Sequence, residues 1–517
     1  MHAYKQTFRV TVNSGSLIIL YVLGFILLSS IIATSSWENL TPEEALNKLP
    51  GRSLSVEFVL LTALESADVF DQLRAELKKA PVLSLRSRSS LDPVFFGGAL
   101  YEDNKGEPAT AFAPSQRKTF GGRMGVRGSL PTGTQLQASA QHEKSRLNFL
   151  NSPETDYHLN RIEFSANQSL TKDFFGQGNR ALMRSGSAGS QAIAQSIKVQ
   201  GENLLLQFVS LYLEAWLGQN RVITARDSLE RRRRLKRSVD ARLRRGNAVK
   251  SEGLQVNSAV LSSEVELLKA ERSLQETWRA LVIGLKLPLS FLSVDPTTIP
   301  VKLDGSIQEA EKLCRQLKEA DILERNNEVS ASRYQAEAQT AKNEYARGQS
   351  RWDVQATGKI GAQNREDHFS NALADSAGLK NPDWSVGVEL SIPFLSLRER
   401  ADRQEALSNS LQAKASESLT RSSVQIRWAN ACQGLTTAKK EIDSFKESAA
   451  NQKSREAFES ERYRLGSTTA FNVVSAGDDL SFADSNWRGA EAEGRLTAWN
   501  VLVLSGEVLK KFEDQLK

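Results

Sequence analysis

Residues 384–394, WSVGVELSIPF, decide the fold. Trp384, Val386, Val388, Leu390 and Ile392 alternate with Ser385, Gly387, Glu389 and Ser391. Successive strand side chains point to opposite faces, so this period of two predicts a strand with one apolar and one polar face. Just upstream, Trp352, Val354, Ala356 and Ile360 alternate with Asp353, Gln355, Thr357 and Lys359. A long polar connection, Gly361 to Asp383, joins the two as a hairpin. An earlier pair has the same form. Leu136, Ala138 and Ala140 alternate with glutamines and Ser139. Ile162, Phe164 and Ala166 alternate with Glu163, Ser165 and Asn167. The polar stretch from His142 to Tyr157 connects them. Four strands in two hairpins are therefore expected. Gly121 to Leu130, followed by Pro131-Thr132-Gly133, reads as a further strand segment or as a bent extension of the first strand.

Outward from the hairpins the chain reads as helix. Gly189 to Arg245 holds no proline and would run roughly 85 Å if continuous; Ser396 to Leu465, also without proline, would run roughly 105 Å. Helices this long need partners along their length, as in coiled coils. Leu274, Trp278, Leu281 and Leu285 give the matching spacing, as do Leu496, Trp499 and Val503. Residues 53–80 predict another helix, ended by Pro81. The glycine- and proline-rich residues 81–121 read as an irregular extended arm.

The two halves repeat. Phe164 and Trp384 lie 220 residues apart, as do Gly246 and Gly466, while Trp278 and Trp499 lie 221 apart. Each half reads hairpin, long helix, glycine turn, long helix, which is a structural duplication. The expected divisions are 1–35, a signal peptide; 36–121, an N-terminal helix and extended arm; 122–330, the first repeat; and 331–517, the second.

The leader assignment rests on order. Lys5 and Arg9 precede the apolar run Leu17 to Ala33, and the small residues Ala33-Thr34-Ser35-Ser36 follow. That is the pattern of a secretory signal, with an uncleaved N-terminal anchor as the alternative.

Composition narrows the function. The chain has 517 residues, 40% hydrophobic and 25% charged, with a net charge of +6. No run past the leader is long and apolar enough for a membrane-spanning helix. Cys314 and Cys432 are too few for a disulfide framework and read as two separate thiols. The four histidines are scattered, so no metal site and no cofactor are expected. No nucleotide-binding or nucleophile-elbow motif occurs, and the chain does not read as an enzyme. Residues 230–245, ERRRRLKRSVDARLRR, hold nine basic and two acidic residues. Export and the lack of interleaved aromatics argue against nucleic acid. A solvated helix face and a patch for an acidic partner surface are the remaining readings.

Two isolated hairpins do not make a stable sheet, and their edges must pair with something. In an exported protein, a barrel assembled from several chains solves both problems, since only helices and closed barrels satisfy the backbone in a bilayer.

These residues carry a resemblance. The order Leu390-Ser391-Ile392-Pro393-Phe394, Tyr463-Arg464-Leu465-Gly466, Phe471-Asn472-Val473-Val474, and in the first half Arg244-Arg245-Gly246 then Glu252-Gly253-Leu254, resembles the TolC-like outer-membrane efflux proteins (outer membrane factors) over nearly the whole mature length. The resemblance implies a mainly α fold with a small β part. Long antiparallel coiled-coil helices would continue from four strands, which three chains combine into a 12-stranded transmembrane barrel. It implies no enzymatic activity. The homotrimer would be a passive exit duct in outer-membrane lipid, with a periplasmic helical tunnel, serving a tripartite efflux or type I secretion system. An inner-membrane transporter would supply the energy.

A periplasmic adaptor would dock at the two glycine turns, formed here by Arg245, Gly246, Asn247, Ala248 and Val249, and by Tyr463, Gly466, Ser467, Thr468 and Thr469. Glu252, Asn472 and Ser475 match the family's aperture positions, with Asp478 and Asp479 deeper. Only one of the three matched positions is charged, a departure from the family. Trp352 and Trp384 read as membrane-interface aromatics. The alternative function is an N-terminally anchored periplasmic coiled-coil adaptor or structural protein.

Overall fold

The computed structural model describes residues 52–107, 110, 113–149, 153–392 and 394–508. The leader read over 1–35 lies outside them. The chain divides into two compact units. One holds the described parts of Met1–Arg74, Gln200–Ile322 and Gln425–Lys517; the other holds Ala75–Val199 and Leu323–Val424.

The second unit contains one antiparallel sheet of six strands in simple meander order: β1 (Val94–Lys105), β2 (Gln116–Ser129), β3 (Thr134–Asn148), β4 (Thr155–Ser169), β5 (Asp353–Glu366) and β6 (Pro382–Ser391). The four expected strands are β3 to β6. The arm expected to be irregular is instead a helix, Val82–Arg88, and then the β1–β2 hairpin. The strand segment read over Gly121 to Leu130 is most of β2, and glycine hid its partner β1. Gly97, Gly121, Gly122, Gly125 and Gly128 blank out the alternation on which the reading depends. Gly125 is required for space: a Cβ there would stand 2.7 Å from the Phe96 ring and overlap the Ala138 carbonyl oxygen.

Register fixes the faces. Phe95, Val126, Ala138, Phe164, Ile360 and Trp384 stand opposite one another in a row across all six strands. Most of this row is exposed, with Phe95 at 70% and Trp384 at 75%. On β5 the apolar face runs from Val354 to Ala362, about 27 Å of strand. It ends in a second row, His142, Asn160 and Asn364. Here the expected connection Gly361 to Asp383 proves partly regular. Strand β5 continues to Glu366, and a helix, Phe369–Ala377, follows. That helix packs on the polar row. Phe369 sets its ring edge-on to His142 at 4.7 Å, Asn364 Nδ2 donates to Ser376 Oγ at 3.3 Å, and Ser376 Oγ donates to the Asn160 carbonyl at 3.1 Å.

The helices bear out the duplication. With the short helices Val56–Ser66, Asp68–Leu77 and Val82–Arg88 as α1 to α3, the long ones are α4 (Gln177–Arg244) and α5 (Lys250–Gly284), then α10 (Leu397–Arg464) and α11 (Ala470–Leu504). α4 and α10 are 68 residues each, and α5 and α11 are 35 each. Every boundary in the second pair is its counterpart in the first plus 220. Between them lie α6 (Ser306–Gln316), α7 (Glu319–Arg325), α8 (Asn327–Gln349) and α9, the helix after β5. Among the described residues no helix is long and apolar enough to cross a membrane.

Two further expectations are corrected in the first unit. The helix read over 53–80 breaks at Ala67, whose ψ of 128° is extended. The break lets Asp68 open α2, where it pairs with Lys286 at 2.6 Å, and turns the buried Phe70 onto Phe208 with ring centroids 6.3 Å apart. Cys314 and Cys432 are not separate thiols. They are joined in a disulfide between α6 and α10, with Cα atoms 5.8 Å apart. A separation of 118 residues carries no sign of this, because it arises only when α6 is laid on the far half of the second repeat.

Candidate functional site: the paired helix turns

Both glycine turns have the same backbone. Gly246 (φ 74°) donates to the Leu243 carbonyl at 3.0 Å, and Asn247 N donates to Arg242 O at 2.9 Å. Gly466 (φ 82°) donates to Tyr463 O at 3.0 Å, and Ser467 N donates to Arg462 O at 2.9 Å. This is the Schellman closure of a helix, in which a left-handed residue satisfies the last carbonyls; glycine enters that region without a Cβ penalty. Val249 and Thr469 then open α5 and α11 in extended conformation.

A small core joins the two turns. Leu235, Val239, Val256, Tyr463, Ala470 and Val473 are buried together, with Leu243 and Val474 against them. Arg242 ties them further. Its Nη1 donates to the Tyr463 carbonyl at 3.1 Å, and its guanidinium lies 4.8 Å from the centre of the Tyr463 ring. Burial raises the Tyr463 phenol above its ordinary pKa. Glu252 Oε1 accepts from the Ala470 N–H at 3.1 Å, so a carboxylate from the first hairpin caps the first turn of the second.

The expected aperture residues are thus largely committed within the chain. Besides Glu252, Asn472 donates to Thr468 Oγ1 at 2.9 Å, Asp478 pairs with Arg232, and Asp479 pairs with Arg455 at 2.7 Å. Ser475 is half-buried.

The basic stretch is committed as well. Arg231 donates to Ser481 at 3.1 Å, Arg232 to the Ala259 carbonyl and Asp478, Arg233 to Glu264 at 2.8 Å, and Lys236 to Asn257 at 2.5 Å. Arg234 and Arg237 stand 3.9 and 3.6 Å from Glu230. Most of these cations therefore stitch α4 to its neighbours.

Arg232 and Arg242 organise the site, and neither was singled out from sequence. The repeat held a signal for Arg242, since it is the counterpart of Arg462, 220 residues on. Arg462 binds its own turn, donating to Ser467 O at 3.0 Å, whereas Arg242 reaches across to the other hairpin.

What remains outward is small, apolar or basic. Arg245, Gly246, Asn247, Ser467 and Thr469 are exposed, Ala248 and Thr468 are half-buried, and Val249, Leu254, Leu465 and Phe471 expose apolar surface. Of the two expected interface tryptophans, Trp352 lies just before β5 and Trp384 near the start of β6, both exposed. Since Trp384 stands opposite Ile360, they differ by eight residues of strand. Among the described residues no group of three His, Cys, Asp or Glu converges on a metal-sized point.

Solved structures match this arrangement of meander sheet and paired long helices. The chain is similar to the outer membrane protein VceC of Vibrio cholerae, with a TM-score of 0.65 at 16% identity, covering 87% of this chain and 96% of that one. It is similar to the Campylobacter jejuni CmeC outer membrane channel, with a TM-score of 0.64 at 14% identity over 89% of each chain. The MtrE outer membrane channel of Neisseria gonorrhoeae, in its open state, gives 0.57 at 13% identity, covering 88% of this chain and 89% of that one. The chain has the TolC-like outer-membrane channel fold. The likeness spans sheet and helices alike, so it covers the duplication as a whole. No protein-family model and no curated relative matches the sequence.

Proposed function

We propose that this chain is the subunit of a trimeric outer-membrane exit channel of an efflux or secretion system. One observation carries the reading. The sheet exposes a continuous apolar row from Phe95 to Trp384 and has two unpaired edges, β1 and β6, among the described residues. In water such a sheet would aggregate. In a bilayer, the row meets lipid and the edges pair between copies. Trp352 and Trp384, about 27 Å apart along the strand, suit the two rims of an apolar band about 25 Å tall. Four strands from each of three copies would make the twelve-stranded barrel read from sequence. The β1–β2 hairpin widens each sheet by two strands, so edge-to-edge closure through it takes eighteen.

The helices form the periplasmic tunnel, and the paired glycine turns are its adaptor-docking end. Gly246 and Gly466, with Asn247, Ala248, Ser467, Thr468 and Thr469, present small side chains that let a partner helix approach closely. Val249, Leu465 and Phe471 supply the apolar contacts. Asp478 and Asp479 line the aperture in pairs with Arg232 and Arg455; the Arg232–Asp478 pair holds the two hairpins together until an adaptor engages, while Arg455–Asp479 ties α10 to α11 within the second. Transport through this chain is passive, and an inner-membrane transporter drives it.

The test is conductance. Purified protein added to a planar lipid bilayer is expected to give discrete ion-conducting steps, larger in an Arg232→Ala/Arg242→Ala variant. Absence of steps from both proteins would sink the reading.

A further inference from the structure

Beneath the start of β5, the second unit carries a cavity of about 660 Å³ that the channel role leaves unused. Lys172, at the end of the segment Leu170–Lys172, lines one side. Leu170 N donates to the Val354 carbonyl at 2.7 Å, and Thr171 Oγ1 donates to the Trp352 carbonyl at 2.6 Å. The first two turns of α4, the last two turns of α8 and Arg351 form the rest. α8 packs closely on that segment, since a Cβ on Gly348 would stand 2.9 Å from the Lys172 carbonyl oxygen.

The lining is strongly basic. Lys172, Arg180, Arg184, Arg347 and Arg351 face one acid, Glu344. Arg184 already holds Glu344 at 2.5 Å. The neighbouring Asp173 is committed too: its Oδ1 accepts from Gly178 N at 2.7 Å and Asn179 N at 3.1 Å, capping α4. Lys172, Arg180, Arg347 and Arg351 are left with no carboxylate within 4.0 Å among the described residues. Four like charges around one cavity repel, and an anion placed among them removes that repulsion.

The surroundings indicate which anion. Arg351 directly precedes Trp352, and Lys172 lies two residues before Phe174. Trp352 is 56% exposed, Phe174 44% and Phe175 59%. Phe175 holds its exposed ring from a left-handed backbone (φ 46°), a conformation that costs a bulky residue energy. Cations directly beside exposed aromatics are the pattern of a membrane–water boundary, where aromatic rings sit at headgroup level and basic pockets take anionic headgroups. Guanidinium forks match phosphate oxygens in pairs.

We propose that this cavity binds the phosphate of an anionic phospholipid headgroup, with the acyl chains passing Trp352, Phe174 and Phe175. The site rests on the outer-membrane reading above, and it gives the barrel-to-helix junction a specific lipid anchor.

Binding of soluble short-chain lipids to the purified full-length protein tests it, with dihexanoylphosphatidylglycerol, dihexanoylphosphatidylcholine and inorganic phosphate as the three probes. The phosphatidylglycerol is expected to bind at least tenfold more tightly than either of the others. An Arg180→Gln/Arg347→Gln/Arg351→Gln variant is expected to lose that preference. The single Arg180→Gln, at an exposed position, is expected to weaken it about threefold and covers the case in which the triple variant does not fold. Equal binding of the two lipids, inorganic phosphate binding as tightly as phosphatidylglycerol, or a preference kept by the variants would each overturn the proposal. If such a result came from protein recovered in outer membranes, the channel reading would stand. Absence of the protein from outer membranes would overturn both.

Discussion

Arg242 lies over the ring of Tyr463, its guanidinium carbon 4.8 Å from the centroid, while its Nη1 donates to the Tyr463 carbonyl at 3.1 Å. The two residues belong to different hairpins, so this contact couples turns that are 220 residues apart in sequence. A hydrogen bond from a charged donor and a cation–π contact together suggest a loss of about 1–2 kcal/mol in Arg242→Ala. Amide hydrogen exchange is expected to quicken at both turns, 242–252 and 462–470, and Arg242→Lys should restore little because lysine lacks the planar fork. Faster exchange at the first turn alone would show that the hairpins are not coupled here.

Asp478 and Asp479 are neighbours in sequence but differ in what their loss leaves behind. The Arg232 side chain that holds Asp478 is only 11% exposed, whereas the Arg455–Asp479 pair is 51% and 45% exposed. Removing a partner from a nearly buried cation leaves it uncompensated, and exposed pairs contribute little. Asp478→Ala is expected to destabilise the helical unit by about 1–3 kcal/mol and Asp479→Ala by less than about 1 kcal/mol, read from denaturant midpoints. Equal losses would contradict the pairing.

Much of this was legible in the sequence. The period of two in β3 to β6 gave the strands because their apolar faces carry large residues such as Phe164, Trp384 and Val388. The offset of 220 gave both long helix pairs. What escaped was β1 and its pairing with the strand segment read over Gly121 to Leu130, because glycines there replace residues that would show alternation. The cross-hairpin ties also escaped, because nothing in the run from Arg231 to Arg245 says which arginine turns inward. Arg232 and Arg242 differ from Arg233 and Arg234 only by the face of α4 they occupy, and the partner of that face lies more than 200 residues away.

The glycines with left-handed backbones are not equivalent. At Gly246 (φ 74°) a Cβ would meet nothing within 4 Å, so Gly246→Ala is expected to cost only the backbone term, about 1 kcal/mol. At Gly176 (φ 76°) a methyl group would also overlap the Pro131 carbonyl oxygen, with Thr132 close behind. Gly176→Ala is expected to lower the thermal midpoint well beyond Gly246→Ala, or to prevent assembly. A similar midpoint for the two variants would overturn this account of the barrel-to-helix junction.

The Cys314–Cys432 bond closes a loop of 118 residues by tying α6 to α10. Removing such a bond by Cys314→Ser/Cys432→Ser is expected to cost about 2–4 kcal/mol. Reductant should lower the thermal midpoint of the natural protein and leave the double variant unchanged. Two free thiols titrated in unfolded, unreduced protein would rule the bond out.

The central claim is that the sheet closes only between copies of this chain, in a membrane. The native mass of the protein extracted from isolated outer membranes with mild detergent tests that claim most directly. The account predicts a complex of three chains, resistant to dissociation until heated, because each open edge is paired with a neighbour's. A monomer, or protein found only in the soluble or inner-membrane fractions, would leave β1 and β6 without partners and contradict it.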